Sequence, residues 1–200
     1  MRIALETPPT KERLLDAAQE LMLAKGFAAT TVDEICEKAK LTKGSFFHYF
    51  ESKDELGKEL LERFCEEGAR RNEALFGQES DPLKRVYHYI DAMVKHAQET
   101  ATGKGCLLGT FCQELSDVSP KIREVCAKAF AAWAKRFGEE LAEAKAKYAA
   151  MASFDPQSLA EHFIAIQEGS LILGKAKKDM KVVQRNLLHF KEYLKSLFKR

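Results

Sequence analysis

Cysteine is scarce in this sequence and shows no paired spacing. The chain has five cysteines in 200 residues, an odd number, and no two of them form a C-x-x-C pair. Disulfide frameworks and structural zinc sites need closely paired cysteines, so neither is predicted. The expected state of most of these thiols is packing in an apolar core. They are Cys36, Cys65, Cys106, Cys112 and Cys126.

Long apolar runs are also missing. No stretch reaches the ~20 consecutive apolar residues that a membrane-spanning helix needs. The first ten residues lack the basic start and apolar stretch of a secretory signal. We therefore expect a cytoplasmic protein with no membrane partner.

Proline, glycine and strand-like alternation are sparse, which disfavours β architectures. The five prolines and eleven glycines fall mainly where helices would begin or end, while apolar residues recur at spacings of three and four. Asp81-Pro82, Ser119-Pro120 and Asp155-Pro156 each place a capping side chain before a first-turn proline. The pattern predicts an all-α fold of about nine helices.

Motifs of enzymes and cofactor-binding proteins are absent. The five histidines form no H-E-x-x-H pair, and the chain contains no G-x-S-x-G, G-x-G-x-x-G or P-loop sequence. An enzyme is therefore not predicted, and neither a metal nor an organic cofactor is expected.

Charge of one sign is not in excess. The formal net charge is +2, and residues 1–56 carry eight basic against ten acidic side chains. Residues 175–200 carry nine basic and two acidic side chains; a solvated helix face is the simpler interpretation, and a second nucleic-acid contact is the alternative. Net charge gives no support for DNA binding, which has to rest on local geometry.

The most informative stretch runs from residue 30 to residue 56, TTVDEICEKAKLTKGSFFHYFESKDEL. A helix-turn-helix needs a small residue late in its first helix, an apolar residue in the turn, and inward apolar residues in its second helix. Ala39, Leu41 and the pair Phe46 and Phe50 meet these requirements. The pattern predicts two short helices joined by a tight turn.

With those apolar residues buried, the segment from Lys43 to Tyr49 presents hydroxyl, imidazole and ammonium groups outward. Such groups donate hydrogen bonds to phosphates and base edges, and a glycine among them allows close approach of the backbone. The alternative is a three-helix scaffold with a solvated polar face, as in a helical protein-interaction adaptor. An adaptor would more often show an apolar groove at this surface.

Two heptad-like stripes occupy the last two predicted helices. Both stripes repeat with spacings near 4 and 3, and such stripes can form a four-helix bundle with a second copy of the chain or pack within one chain. Periodicity leaves both interpretations open. The first stripe contains Leu159, Phe163, Ile166, Ser170 and Leu173, and the second contains Val183, Leu187, Phe190, Leu194 and Leu197.

The run GFAATTVDEICEKAKLTKGSFFHYFESKDEL resembles the N-terminal domain of TetR/AcrR-type transcriptional regulators. The resemblance implies a helix-turn-helix DNA-binding domain at residues 1–56 and a larger helical domain for ligand sensing and dimerisation at residues 57–200. It also implies a homodimer built on helices 8 and 9, a near-palindromic double-stranded DNA operator, and repression as the usual outcome.

Nine residues are predicted to contact DNA: the resemblance assigns eight of them by position, and the outward side of the segment from Lys43 to Tyr49 adds Gly44. One of them, Phe47, stands where a tyrosine is common, so it keeps the ring and lacks the hydroxyl that would bind phosphate. The nine are Thr31, Thr42, Lys43, Gly44, Ser45, Phe47, His48, Tyr49 and Lys53.

The block GKGCLLGTFCQEL, residues 103–115, is the most individual part of the second half. The simpler interpretation of Cys106 in this block is a packed thiol in a tight turn; the alternative is a thiol at a helix start near the lysine at position 104, with a lowered pKa and nucleophilic character. The block is similar to that of NemR-like regulators, which respond to electrophiles, and Cys106 matches the sensor position. Lys175 lies in a segment that also looks similar, and a lysine beside the thiol can stabilise the thiolate or trap an oxidised sulfur.

A non-covalent small-molecule inducer remains the alternative to an electrophile. The aromatic residues Phe111, Phe130 and Trp133 are candidates for its pocket. At helical spacing such residues are more often core than ligand contacts, although in this type of regulator the pocket lies within the core.

Overall fold

The computed structural model describes residues 10–77, 79–99 and 105–199. These residues form nine α-helices and no strand, which confirms the predicted all-α class. The helices are α1 (Thr10–Lys25), α2 (Val32–Ala39), α3 (Lys43–Tyr49), α4 (Lys53–Phe76), α5 (Pro82–Glu99), α6 (Leu107–Leu115), α7 (Pro120–Tyr148), α8 (Pro156–Lys177) and α9 (Lys181–Phe198).

Local capping signals account for several helix starts. A capping box forms at α2, where the Thr31 hydroxyl accepts from the Glu34 amide and the Glu34 carboxylate accepts from the Thr31 amide. At α4 only half of such a box forms. Ser52 accepts from the Glu55 amide, but the Glu55 carboxylate accepts from the amide of Glu51, one residue earlier than a capping box requires.

The first apolar core joins α1–α4 to the second half of the chain. It contains Phe46 and Phe50 from the N-terminal helices together with Phe111 from α6 and Cys126 from α7. Helix α4 runs without a break across the predicted domain boundary between residues 56 and 57. That boundary stays a prediction, and the packing on its two sides is continuous.

The second core lies among α5, α7, α8 and α9. Its centre is a group of buried rings in which Phe137 and Phe163 lie 4.8 Å apart and Phe163 and Phe190 lie 5.2 Å apart. Most of both heptad-like stripes enter this core: Phe163 and Leu187, for example, are almost fully buried. Much of both stripes therefore packs within one chain, while Leu173 of the first stripe remains 46% exposed, and a dimer through α8 and α9 stays a prediction.

Glu140 is a charged residue buried beside this second core, where only 3% of it is exposed. Arg85 of α5 and Arg136 of α7 both donate to its carboxylate. Arg85 also pairs with Glu143, and Arg136 pairs with Glu73 of α4. The ion-pair network therefore joins three helices around one buried carboxylate.

Candidate nucleic-acid interface and sensor cavity

Helices α2 and α3 form a tight helix-turn-helix. Lys40 ends α2 in the left-handed region, with φ 54°, and the Leu41 amide donates to the Cys36 carbonyl at 2.9 Å. Ala39 is buried at this bend, where a larger side chain would find little room. The Thr42 hydroxyl then caps α3 by accepting from the Ser45 amide at 3.1 Å.

The sequence of α3 divides its side chains between the core and solvent. Phe46 is fully buried, and its ring lies 5.6 Å from that of Phe50. Most of the predicted DNA-contacting residues of this helix lie together at its exposed surface, which we call the outer surface of α3. It consists of Lys43, Gly44, Phe47, His48 and Tyr49.

Phe47 and Tyr49 are the large rings of this outer surface. Phe47 is 56% exposed and Tyr49 is 38% exposed, unusually open for aromatic side chains in a small domain. The rings of His48 and Tyr49 meet edge to face at 4.8 Å. Thr31 and Thr42 are exposed beside these rings, and the hydroxyl of half-buried Ser45 lies 3.1 Å from that of Thr42.

The cation of the outer surface already has a partner. The Lys43 ammonium lies 2.7 Å from a carboxylate oxygen of Asp33 in α2, and both side chains are more than 60% exposed. This hydrogen bond raises the pKa of Lys43, so the ammonium stays charged. A phosphate can replace the carboxylate at little cost because the pair is solvated.

Lys53 has a role that the sequence did not predict. Its ammonium donates to the carbonyls of Phe27 and Thr30, at 3.0 and 2.9 Å, and lies 4.3 Å from the centre of the Phe27 ring. It therefore holds the turn between α1 and α2, residues 26–31, which we call the α1–α2 turn. A direct contact of this ammonium with DNA would compete with two internal hydrogen bonds.

The predicted sensor residues meet in a cavity of about 380 Å³ between the start of α6 and the end of α8. We call it the α6–α8 cavity. Cys106 and Lys175 both line it, although they lie in different helical segments. The other lining residues are Gly105, Thr110, Gln113, Glu114, Glu168, Leu171, Ile172 and Ala176.

The three aromatic residues proposed for the ligand pocket do not line this cavity. Phe111 is fully buried in the first core, where its ring meets that of Phe27 at 5.3 Å. Phe130 and Trp133 are half-buried on α7, and the Trp133 indole donates to the Tyr89 hydroxyl at 2.7 Å. These positions are those of packed side chains, so the structure favours core packing over a ligand contact for all three.

The surroundings of Cys106 among the described residues raise its pKa, which favours the packed thiol over the nucleophilic one. Desolvation raises the pKa of this thiol well above its usual range, and the nearby Glu168 carboxylate raises it further. The amides of Leu108 and Gly109 favour the sulfur anion and lower the pKa, but their effect is smaller. The nucleophilic interpretation relied on the helix start and on the lysine at position 104, which lies outside the described residues.

Glu168 of α8 is the cavity residue that sequence reasoning missed. Burial raises the pKa of its carboxyl, and the neighbouring Cys106 thiol opposes part of this rise. Its Oε1 atom is buried and has no hydrogen-bond partner among the described residues. The one available signal was an acidic residue between apolar positions of a helix, and this signal does not identify the thiol 62 positions earlier in the chain.

Two residues of the cavity also contact the N-terminal helices. The Glu114 carboxylate accepts from the amides of Phe27 and Ala28, at 3.2 and 2.8 Å. The Lys175 ammonium donates to the carbonyl of Leu23, near the end of α1, at 3.4 Å. The α1–α2 turn is therefore bound by a cavity residue at its amides and by Lys53 at its carbonyls.

An apolar surface of α8 and α9 remains uncovered in the single chain. Ile172, Leu173 and Tyr193 are each about half exposed there. They border a shallow groove of about 560 Å³ that also includes His162, Ala165, Ile166, Gly169, Ser170, Asn186, His189 and Phe190. We call this the outer α8–α9 surface.

The remaining cysteines show no sign of pairing. All five cysteines are free thiols. Burial raises the pKa of Cys65 to about 11 and that of Cys126 to about 12, so both are protonated and unreactive at neutral pH. Among the residues that the structure describes, no cluster of His, Cys, Asp and Glu could hold a metal ion, and no helix could cross a membrane.

Two family models cover most of the chain. Residues 14–60 match the model of bacterial regulatory proteins of the tetR family, and residues 82–190 match the tetracyclin repressor-like C-terminal domain. The second match alone spans more than half of the chain.

Individual relatives agree with the family models. The HTH-type transcriptional repressor DhaR of Mycobacterium sp. (strain GP1) is 28% identical, over 86% of this chain and 85% of its own length. The HTH-type transcriptional repressor NemR of Escherichia coli is 25% identical, over 92% and 94%. A crystal structure of the regulatory protein TetR from Rhodobacter sphaeroides is 28% identical, covers 94% of this chain and 98% of its own, and superposes with a TM-score of 0.82.

The solved structure of reduced NemR superposes with a TM-score of 0.74. The helix-turn-helix geometry, the nine helices and both family models agree. The chain belongs to the TetR family of bacterial DNA-binding transcriptional regulators.

Proposed function

We propose that this protein is a homodimeric repressor that leaves its operator when the α6–α8 cavity is modified or occupied. The observation that carries the proposal is the position of Glu114, which lines the cavity and also accepts from the amides of the α1–α2 turn. A change in the cavity therefore acts directly on the segment that leads into α2. As a DNA-binding regulator it acts in the cytoplasm, and no enzymatic step is part of this function.

The outer surface of α3 is the proposed DNA contact. Lys43, His48 and Tyr49 supply the donors, and Phe47 supplies an apolar ring for the methyl groups of thymines or for sugars. Thr31, Thr42 and Ser45 add hydroxyls at its rim. Lys53 acts indirectly in this proposal, because it holds the turn that precedes α2.

The proposed dimer forms through the outer α8–α9 surface. Two copies bury their half-exposed Ile172, Leu173 and Tyr193 against each other, which removes apolar surface from water. A twofold axis at this surface sets the two α3 helices in successive major grooves, about 34 Å apart, on a near-palindromic operator.

The proposed signal is covalent modification of Cys106 by an electrophile or oxidant, with Lys175 in the same cavity. Two relatives are named as repressors, and the NemR structure is described as a reduced form; these names support repression and a redox-sensitive state. By linkage, modification that weakens DNA binding must itself be disfavoured to the same extent when DNA is bound.

A non-covalent inducer is the second candidate. The buried Oε1 atom of Glu168 has no hydrogen-bond partner among the described residues, so it can accept from a donor on a small molecule. Such an inducer would need an N–H or O–H group and a volume that fits about 380 Å³.

The test is a fluorescence-anisotropy titration of labelled DNA from upstream of the protein's own gene, before and after treatment with N-ethylmaleimide. Treatment should release the unsubstituted protein and should not release Cys106→Ser. Cys112→Ser, a half-buried thiol on the same helix, is the matched control and should still be released. Release of Cys106→Ser would overturn the sensor role, and binding unchanged by Tyr49→Ala would overturn the proposed DNA surface.

A further inference from the structure

Glu168 lies against the proposed sensor thiol and has no structural task in the described fold. A Cβ added to Gly109 would lie 2.1 Å from a Glu168 carboxyl oxygen and 3.8 Å from the Cys106 Cβ, so the carboxyl lies beside the thiol, while its Oε1 atom is buried without a partner among the described residues. Among the described residues no cation contributes to the pKa of this carboxyl, although Lys175 lines the same cavity. A buried carboxyl is costly unless it is paired, so its presence beside a thiol suggests a chemical role.

We propose that Glu168 is the proton acceptor for the Cys106 thiol when that thiol adds to an α,β-unsaturated carbonyl compound. This inference rests on the proposed function of Cys106 as the sensor. Glu168 would remove the thiol proton and so form the thiolate. This step is needed because an uncharged thiol is a poor nucleophile.

The position of Glu168 suits proton transfer. An added Cβ on Gly109 would overlap the Glu168 carboxyl and would lie 3.8 Å from the Cys106 Cβ, so only glycine leaves room for the carboxyl beside the thiol. Burial makes the carboxylate a stronger base than an exposed one, which brings it closer to the ideal for proton transfer near neutral pH.

The start of α6 is arranged to receive the charge that this transfer creates. The Leu108 and Gly109 amides favour the anion of the Cys106 sulfur, although the side chain of this N-cap residue accepts no capping hydrogen bond in the structure. Before transfer, the negative Glu168 opposes a thiolate at this position. After transfer Glu168 is neutral, so the opposing charge has gone and the amides stabilise the sulfur anion.

The reaction balances without a further reactant. The S–H bond of Cys106 breaks and its proton moves to a Glu168 oxygen. The sulfur electron pair forms a bond to the β-carbon of the reagent, and the π electrons of the C=C bond move onto the carbonyl as an enolate. The enolate α-carbon then takes the proton from Glu168, which leaves a thioether and a carboxylate.

The rate of Cys106 alkylation by N-ethylmaleimide, resolved by peptide mass spectrometry on the free full-length protein, tests the proposal. Glu168→Gln should react about a hundredfold more slowly than the unsubstituted protein at pH 7. The exposed carboxylate Glu139 of α7 provides the control, and Glu139→Gln should react at the unsubstituted rate. Gly109→Ala should also slow the reaction, because it displaces the carboxyl without removing it.

The pH profile gives an independent readout. The ionisable groups that line the cavity are Cys106, Glu114, Glu168 and Lys175. Protonated Glu168 cannot accept a proton, so the unsubstituted rate should rise as pH passes the raised pKa of Glu168 and then level off. Glu168→Gln should lack this step, and its rate should follow the thiolate fraction toward high pH.

The opposite result is equally clear. The negative charge of Glu168 could instead only disfavour ionisation of the Cys106 thiol. In that case Glu168→Gln will react as fast as the unsubstituted protein or faster, and the proposal is wrong. Because alkylation is measured without DNA, this outcome is independent of whether modification releases the operator. Conversely, if N-ethylmaleimide releases the Cys106→Ser variant from DNA, the sensor role is overturned, while the measured effect of Glu168 on the alkylation rate still stands.

Discussion

Lys43 presents its charge at the outer surface of α3 in competition with Asp33 of its own chain. The two groups lie 2.7 Å apart and are both well exposed, so the carboxylate shields the ammonium and also repels phosphate. This pairing agrees with the excess of acidic side chains in residues 1–56. We therefore expect DNA binding to depend on which partner the Lys43 ammonium has, more than on the total charge.

Replacing Asp33→Asn should therefore strengthen DNA binding. The amide keeps the size of the side chain but removes the negative charge, which frees Lys43 and reduces repulsion of the backbone phosphates. We expect a severalfold lower Kd at low salt and a smaller gain at high salt, measured by fluorescence anisotropy. Glu37→Gln, which removes an exposed charge elsewhere on α2, is the comparison; an equal gain there would point to general electrostatics.

A different residue-scale prediction concerns Glu140, whose buried carboxylate accepts from Arg85 and Arg136. Glu140→Ala leaves two guanidinium groups partly buried without their shared partner, and it should lower the free energy of unfolding by about 3 kcal/mol. For a chain of this size that corresponds to a Tm lower by roughly 6–12 °C, seen by circular dichroism.

Glu143→Ala is the matched variant, because Glu143 pairs with the same Arg85 but its side chain is 63% exposed. It should leave Tm almost unchanged. A similar loss for both variants would mean that burial of the carboxylate is not the cause.

Helix α6 is the element that connects the two halves of the chain. Its first turn faces the cavity with Cys106 as its N-cap, its middle places Phe111 in the first core, and its end holds the α1–α2 turn through Glu114. A short helix with these three contacts has little freedom to adjust at one end alone. A shift at Cys106 is therefore expected to move the turn.

The substitution Glu114→Gln tests this connection. The two oxygens of the Glu114 carboxylate each accept from one backbone amide, of Phe27 and of Ala28. The glutamine side chain has only one acceptor oxygen, so one of these two hydrogen bonds is lost. The ratio of DNA Kd values with and without alkylation of Cys106 should fall by roughly fivefold, or about 1 kcal/mol of coupling.

Glu124→Gln removes an exposed carboxylate of α7 that pairs only with a solvated lysine among the described contacts. It should leave the ratio as it is in the unsubstituted protein. If Glu114→Gln also leaves the ratio unchanged, transmission does not pass through this carboxylate.

The elements differ in how far the sequence predicts them. Starts such as Pro82, Pro120 and Pro156 depend on neighbouring residues, so local pattern finds them. The buried side of α3 also follows from spacing, because Phe46 and Phe50 can be inward only together. The pairing of Cys106 with Glu168 depends on how α6 and α8 pack, and no local pattern contains that information.

Residue spacing also does not predict which surfaces of α8 and α9 pack within the chain. Their heptad-like stripes were compatible with packing inside the chain or between chains, and both would show the same periodicity. The structure places most of the stripe residues, such as Leu187, in the second core. Leu173 of the first stripe nevertheless stays exposed beside Ile172 and Tyr193, so the surface proposed for the partner combines stripe and other residues, and periodicity alone does not mark it.

In the whole molecule, the two apolar cores lie on either side of the cavity, and each core supports a different exposed surface. The first supports the outer surface of α3, and the second supports the outer α8–α9 surface. In a twofold dimer the distance between the two copies of α3 depends on both cores and on the packing between them. If the proposed dimer forms, we expect small rearrangements near the cavity to be amplified at the DNA.

Leu173→Glu should separate the dimer. Leu173 is 46% exposed in the single chain and lies in the groove of the outer α8–α9 surface, so a carboxylate there faces its symmetry mate or apolar neighbours. Sedimentation equilibrium should give a mass near 22.6 kDa, and affinity for a palindromic operator should fall together with the mass.

The control is Val118→Glu, since Val118 is 74% exposed and lies between α6 and α7, away from that surface. This variant should keep twice the monomer mass. A Leu173→Glu protein that also keeps the double mass would exclude the outer α8–α9 surface as the centre of the interface.

Gly57 sets a limit on how this regulator can be recombined with others. An added Cβ there would lie 2.6 Å from the Phe27 ring and 3.3 Å from the Phe111 ring, so three segments of the chain are fitted to one another at this point. A hybrid protein joined at residue 56 would combine Phe27 of this protein with α6 of another. The close packing of Phe27, Gly57 and the α6 ring would then be lost. A chimeric regulator should therefore take its helix-turn-helix segment and its α6 from the same parent protein, so that the rings around Gly57 still fit one another.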